Sequence, residues 1–134
     1  NILSPLGLDD TFPVLGDADL TRMARGYWDG VDYTEQDYTM PGGSMVSTAE
    51  DIGVFLRALV SGSLMNIVER QRYESLFDGY GHSGWLPGYQ SRSRRVPGAD
   101  VVVVLFANTT GGDSERVTDE VFDALVRRVS AGTR

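Results

Sequence analysis

Residues 101–107, VVVVLFA, follow Asp100 as an uninterrupted apolar run opened by four valines. β-Branched side chains in series suit a pleated strand, and a strand without polar alternation reads as one covered on both faces. The segment before it, Tyr89 to Val96, reads as a more polar strand, with Pro97-Gly98-Ala99-Asp100 as the turn between them. An antiparallel hairpin is expected. Two strands alone do not bury such a run, because an isolated hairpin is marginal in water. Either further strands lie in regions that read as loop, or partner strands come from another polypeptide. The second is the expectation.

Helices flank this hairpin in the sequence. Ser47-Thr48-Ala49-Glu50 has capping-box spacing, and Ile52, Phe55, Leu56, Leu59 and Val60 then recur on one helical face. Ser61-Gly62 supplies a stop. A weaker helical stretch runs from Met65 to Leu76. Ser114 to Val129 carries Val117, Val121, Phe122, Leu125, Val126 and Val129 on one face. Its acids, Glu115, Asp119 and Glu120, come early and Arg127 and Arg128 late, as the helix dipole favours. The first forty residues read as loop with short helical turns, one of them around Leu20, Met23 and Ala24, and Pro41-Gly42-Gly43 breaks the chain. The fold class expected is α/β of the α+β kind, with antiparallel sheet strands covered by a C-terminal helix. Residues 1–78 form a helical and loop segment, and residues 79–134 hold the strands and covering helix of the same domain.

Composition narrows the chemistry. The net charge of −7 argues against nucleic acid as a partner, and Arg92, Arg94 and Arg95 read as a solvated strand face. The sequence holds no run of eighteen apolar residues, the length that spans a membrane, and NILSPLGLDD lacks the pattern of a signal peptide. With no cysteine there is no disulfide or zinc–thiolate site. All twelve basic residues are arginine, so no lysine serves as base or Schiff-base former. No cofactor or metal is expected. The acidic loop DGVDYTEQD misses the calcium-loop pattern, and GYGHSG neither opens a helix nor carries a Walker lysine.

The single histidine lies in GYGHSGWLPGY, residues 79–89. His82 and Ser83 are neighbours, so on a strand their side chains point to opposite faces and they do not form a nucleophile–base couple with each other. Nor does Gly81-His82-Ser83-Gly84-Trp85 or Gly42-Gly43-Ser44-Met45-Val46 complete the Gly-x-Ser-x-Gly elbow.

His-Ser-Gly, then Trp-Leu-Pro-Gly-Tyr, a strand, a tight turn and an apolar strand ending in Ala-Asn resembles the penicillin-recognising serine hydrolases. These are the class C β-lactamases, the related D-alanyl-D-alanine carboxypeptidases and esterases. NILSPLGLDDT and PGGSMVSTAEDIGVFLRALVSG are similar to two further segments of that family, so the resemblance covers nearly the whole chain. It implies a partial β-lactamase/transpeptidase-like fold with the His-Ser-Gly triplet on an edge strand.

In that resemblance His82 is the cation-capable member of the triplet, near the substrate carboxylate or leaving group, and Ser83 donates its hydroxyl to that carboxylate. Gly84 lets the substrate backbone lie close to the strand, and the backbone N–H of Trp85 is one of two oxyanion donors. The Trp85 side chain forms a pocket wall or simply packs. Two family motifs are absent: Ser-x-x-Lys, which holds the nucleophile, and a Tyr-x-Asn-like second motif. The expectation is therefore a C-terminal portion of a hydrolase acting on D-Ala-D-Ala peptides, β-lactams or esters, inactive alone, with the N-terminal half of the same enzyme as partner. Carboxypeptidase or esterase chemistry fits the triplet better than β-lactamase chemistry, and an extracellular or cell-envelope location is implied. A non-enzymatic binding module derived from the same fold is the alternative. The family also places a strand between the helical segment and the His-Ser-Gly strand, where SLFDG here runs almost directly into YGHSG.

Overall fold

In a computed structural model of the chain, the residues described are 2–36, 38, 45–77, 79–96 and 98–132. The Pro41-Gly42-Gly43 break and the Gly42-Gly43-Ser44 stretch lie outside them, as does Pro97 of the expected turn. The elements in chain order are α1 (Leu3–Leu6), a 3-10 turn (Leu15–Asp17), β1 (Tyr27–Trp28), β2 (Val31–Asp32), α2 (Ala49–Ser61) and α3 (Ile67–Leu76). They are followed by β3 (Gly81–Leu86), β4 (Tyr89–Arg95), β5 (Val102–Ala107), β6 (Thr109–Thr110) and α4 (Ser114–Gly132).

Helix α2 forms where the pattern places it, but its cap is Thr48 and not Ser47. The Thr48 hydroxyl accepts from the Asp51 N–H at 3.1 Å, and Gly62, at φ 81°, closes the far end in a left-handed turn. Asp51 does not complete a capping box, because its carboxylate is used elsewhere. It accepts from the Thr11 hydroxyl at 2.7 Å and the Asp10 N–H at 3.1 Å, tying the segment after α1 to the first turn of α2. The Ser47 hydroxyl is drawn into the same cluster, 2.8 Å from Thr11 Oγ1. A complete capping box does occur on α3, between Asn66 and Glu69. Around Leu20 and Met23 the chain makes hydrogen-bonded turns in place of the helical turn expected there. The Asp19 carboxylate accepts from both the N–H and the hydroxyl of Thr21, a local bond that competes with helix.

The main sheet is antiparallel with order β3-β4-β5. Its β3–β4 hairpin closes at Leu86↔Tyr89 through Pro87-Gly88, and β4 pairs β5 from Gln90↔Ala107 to Arg95↔Val102. Val96, fully buried, donates its N–H to the Val101 carbonyl across the next turn. Helices meet both faces: Gly53 of α2 lies against Val102, and α4 reaches the other face through Asp119 and Ser114. The burial of the valine run is nevertheless partial. Val102 to Leu105 are half-buried, and Phe106 stays 39% exposed. On α4, Phe122 is buried while Val117, Val121 and Leu125 are 47%, 45% and 40% exposed. The reason is topological. Among the described residues β5 has β4 on one side and no strand on the other.

Short strands do lie in the region that reads as loop, but among the described residues they do not pair with the second side of β5. Strands β1 and β2 join β6 in a second sheet, order β2-β1-β6, with β1 parallel to β6. Their two-residue turn is Asp29-Gly30, at φ 47° and 82°, as a tight hairpin turn requires. The Asp-Gly pair in YWDGVDY is the signal for it, and reading the segment only as an acidic loop overlooked it. Between α3 and β3 the described residues hold no strand. The two are joined instead by aromatic packing, with Tyr73 stacked on Tyr80 at 5.1 Å and tilted against Phe77 at 4.7 Å.

Candidate active site

Strand β3 places Gly81, His82, Ser83, Gly84 and Trp85 in a row on the outer edge of the main sheet. An edge strand presents unpaired backbone groups, which is what allows it to bind an extended ligand. Two anchors hold this edge. At its start Tyr80, 5% exposed, donates its hydroxyl to Glu74 of α3 at 2.8 Å, and its carbonyl accepts from the Arg95 N–H at 2.7 Å. Burial pushes the Tyr80 phenol up, and the Glu74 carboxylate adds to that. At its end the Gly88 N–H donates to Thr110 Oγ1 at 2.6 Å, fastening the hairpin turn to β6.

Side chains alternate along β3. His82 and Gly84 stand opposite Ser93 and Ser91, and Ser83 and Trp85 stand opposite Arg92 and Gln90. Arg92 and Gln90 bond to α4, so the Ser83–Trp85 side is the α4 side and His82 belongs to the side that α2 covers further in. His82 and Ser83 are both exposed. They are thus brought to one edge, from its two faces, and are not in contact as a pair by any bond of their side chains that the structure records. The backbone of His82 is held by one hydroxyl: its N–H donates to Ser93 Oγ and its carbonyl accepts from the same group, each at 3.2 Å.

The peptide joining Gly84 to Trp85 is aimed outward. Its carbonyl oxygen accepts from Arg92 Nη1, a group on β4, at 3.3 Å. No cis peptide bond occurs among the described residues, so in this planar trans unit the Trp85 N–H points the opposite way, to the open edge. Alternation of bonded and non-bonded pairs counted from Leu86↔Tyr89 leads to the same orientation. A Cβ on Gly84 would lie 2.6 Å from Ser91 Oγ, so any larger residue there would have to push that hydroxyl aside. The Trp85 ring is 44% exposed and meets Trp28 edge to face at 6.3 Å, with Tyr33 a further 5.4 Å from Trp28. Trp28 and Tyr33 were not singled out from the sequence. Only the second sheet brings them beside β3.

Arg92 corrects a sequence expectation. It is not part of a solvated face: its side chain is 15% exposed, and its Nε donates to Asp119 Oδ1 at 2.6 Å. Arg94, by contrast, is exposed. Among the described residues no group of three histidine, aspartate or glutamate side chains gathers as a metal site, and no helix is long and apolar enough to cross a membrane.

No protein-family model matches the sequence, and no curated protein does. Solved structures do match. D-amino acid amidase from Ochrobactrum anthropi SV3, complexed with L-phenylalanine amide, superposes with a TM-score of 0.83 at 23% identity, over 99% of this chain and 50% of its own. The same amidase with D-phenylalanine gives 0.73 at 25% identity, over 97% and 51%. A penicillin binding protein from Bacillus halodurans gives 0.70 at 21% identity, over 92% and 47%. The fold is therefore that of the β-lactamase/transpeptidase-like serine hydrolases, and the chain spans about half the length of the structures it matches.

Proposed function

We propose that the chain is the C-terminal half of a serine hydrolase that cleaves amides or peptides of D-amino acids, or esters, through an acyl-enzyme. The observation that carries this reading is the outward-facing Trp85 N–H beside exposed His82 and Ser83, on the free edge of a sheet whose fold matches an amidase and a penicillin binding protein. An upstream polypeptide supplies the serine nucleophile and its lysine, neither of which this chain holds in a Ser-x-x-Lys motif.

The roles follow from chemistry at that edge. The nucleophile's oxygen bonds to the substrate carbonyl carbon, and the carbonyl oxygen takes up negative charge. The Trp85 N–H donates to that oxygen, where the charge develops in the transition state. His82 and Ser83 orient the substrate's polar end, the imidazole as cation or donor and the hydroxyl as donor. The C–N or C–O bond then breaks, a proton goes to the leaving amine or alcohol, and water releases the acid from the serine.

The same reading accounts for the open face behind the site. Leu105, Ala107, Thr109, Val117, Thr118 and Val121 line a cleft of about 360 Å³ between the sheet and α4, next to the free edge of β5. The N-terminal half of the enzyme fills that cleft and pairs with β5. A location outside the cytoplasm suits substrates of the cell wall. The test is to express the chain alone and together with the segment encoded upstream of Asn1. Hydrolysis of D-alanine amide or acylation by a penicillin is expected only of the completed protein. An upstream segment without Ser-x-x-Lys, or a completed protein inert to amides, esters and penicillins, leaves the non-enzymatic module standing instead.

A further inference from the structure

We infer that Arg92 is a positioning residue for the Trp85 amide, acting on it through the carbonyl of the same peptide unit. Its catalytic consequence rests on the hydrolase reading; its hold on Trp85 does not. Arg92 lies opposite Ser83 in the β3–β4 register, with its side chain turned toward α4 and largely removed from solvent. The guanidinium joins three elements. Nε donates to Asp119 of α4 at 2.6 Å, and Nη1 donates to the Ser91 carbonyl of β4 at 2.9 Å and to the Gly84 carbonyl of β3 at 3.3 Å.

The last contact matters because Gly84 C=O and Trp85 N–H are two ends of one rigid amide. Tilting the peptide to re-aim the N–H moves the carbonyl off the guanidinium, so the contact resists rotation about the strand. A cation at the carbonyl end also polarises the amide and makes its N–H a stronger donor, as hydrogen bonds in series strengthen one another. The planar fork of arginine serves a carboxylate and two carbonyls at once. A lysine, with a single point of charge, does not. Asp119, 57% exposed, sets the plane of the guanidinium from outside without burying a second charge beside it.

The effect on the amide is read by NMR of the isolated chain, with no catalysis required. In Arg92→Met the Trp85 backbone amide proton is expected to move upfield, with Arg92→Lys intermediate and Asp119→Asn shifting the same peak in the same direction by less. A Trp85 peak that stays in place in a folded Arg92→Met chain overturns the inference. Should that variant not fold, the exposed-partner change Asp119→Asn decides in the same way. In the protein completed by its upstream half, Arg92→Met is expected to lower kcat about tenfold on D-alanine amide, as a misplaced oxyanion donor does. KM stays within about twofold, because the donation matters most in the transition state, and Arg92→Lys recovers part of the loss. A general loss of structure would instead lower the melting temperature without that kcat-specific pattern, and an unchanged kcat overturns the catalytic role. If no form hydrolyses anything while the Trp85 peak moves, the hydrolase reading fails and the hold of Arg92 on Trp85 stands.

Discussion

The two glycines flanking His82 and Ser83 differ in what they tolerate, and the difference is physical. A Cβ on Gly81 would overlap the Ser93 backbone carbonyl and crowd Arg94, whereas at Gly84 the obstacle is the Ser91 hydroxyl, which can rotate away. Gly81→Ala is therefore expected to destabilise the chain by about 1–3 kcal/mol, in the range of overpacking, and Gly84→Ala by less. Urea titration of both variants checks the order, and equal losses contradict it. Asp32 makes a pH prediction at the same scale. The Thr34 hydroxyl and N–H, then Arg25, hold its carboxyl below the ordinary carboxylate value. A group lowered in the folded state contributes stability above its unfolded pKa and loses it as pH falls through the folded value. The β1–β2 ribbon is thus expected to keep its amide protection at pH 5 and to lose this contribution only well into the acid range. An Asp32 carboxyl titrating at or above its ordinary value in an NMR series contradicts that. His82, Ser83, Gly84 and Trp85 were singled out as a set because the contiguous His-Ser-Gly-Trp stretch resembles a family motif. Trp28, Tyr33 and Arg92 were not, since the first two arrive through the second sheet and the third through a register eight residues away.

Elements were more legible than their ends. Helices α2, α3 and α4 and the β4–β5 hairpin lie within a few residues of their expected positions, because apolar period and turn residues are local signals. The cap of α2 shifted by one residue because Ser47 and Asp51 are both recruited by Thr11, a partner about forty positions away that no local rule can see. Thr48→Ala is expected to cost about 1 kcal/mol, while Ser47→Ala, which leaves the true cap intact, costs less in a denaturant titration. The reverse order would restore Ser47 as the cap. The β1–β2 turn was readable from Asp-Gly, but strands of two residues are too short to show periodicity.

At the scale of the whole molecule, the described residues leave one side with an unpaired strand edge and exposed apolar surface. The free edge of β5 and the exposed Val117, Val121 and Leu125 lie together beside the cleft of about 360 Å³. Exposed apolar faces of this kind mark interaction surfaces, and a free strand edge invites pairing. On the proposed function, adding the proposed upstream half is expected to raise the melting temperature and abolish binding of a hydrophobic dye. Val121→Asp is expected to weaken that association at least tenfold while leaving the isolated chain folded, because Val121 is already 45% exposed there. An association unaffected by Val121→Asp places the partner elsewhere.

The sequence by itself determined the α+β class, the long helices and the hairpin, all of them consequences of local spacing and side-chain type, while the row from His82 to Trp85 was singled out only by its resemblance to a family motif. It also raised the expectation of further strands beside VVVVLFA, since an isolated hairpin is marginal in water. Tertiary structure alone decided that the short strands near the N-terminus form their own sheet and that Tyr80 and Thr110 pin the two ends of β3. It alone turned Arg92 from an expected surface charge into a half-buried link between α4 and the Gly84–Trp85 peptide. Those outcomes depend on which distant backbone and side-chain groups meet, and hydrogen bonds between distant residues leave no periodic trace in the chain.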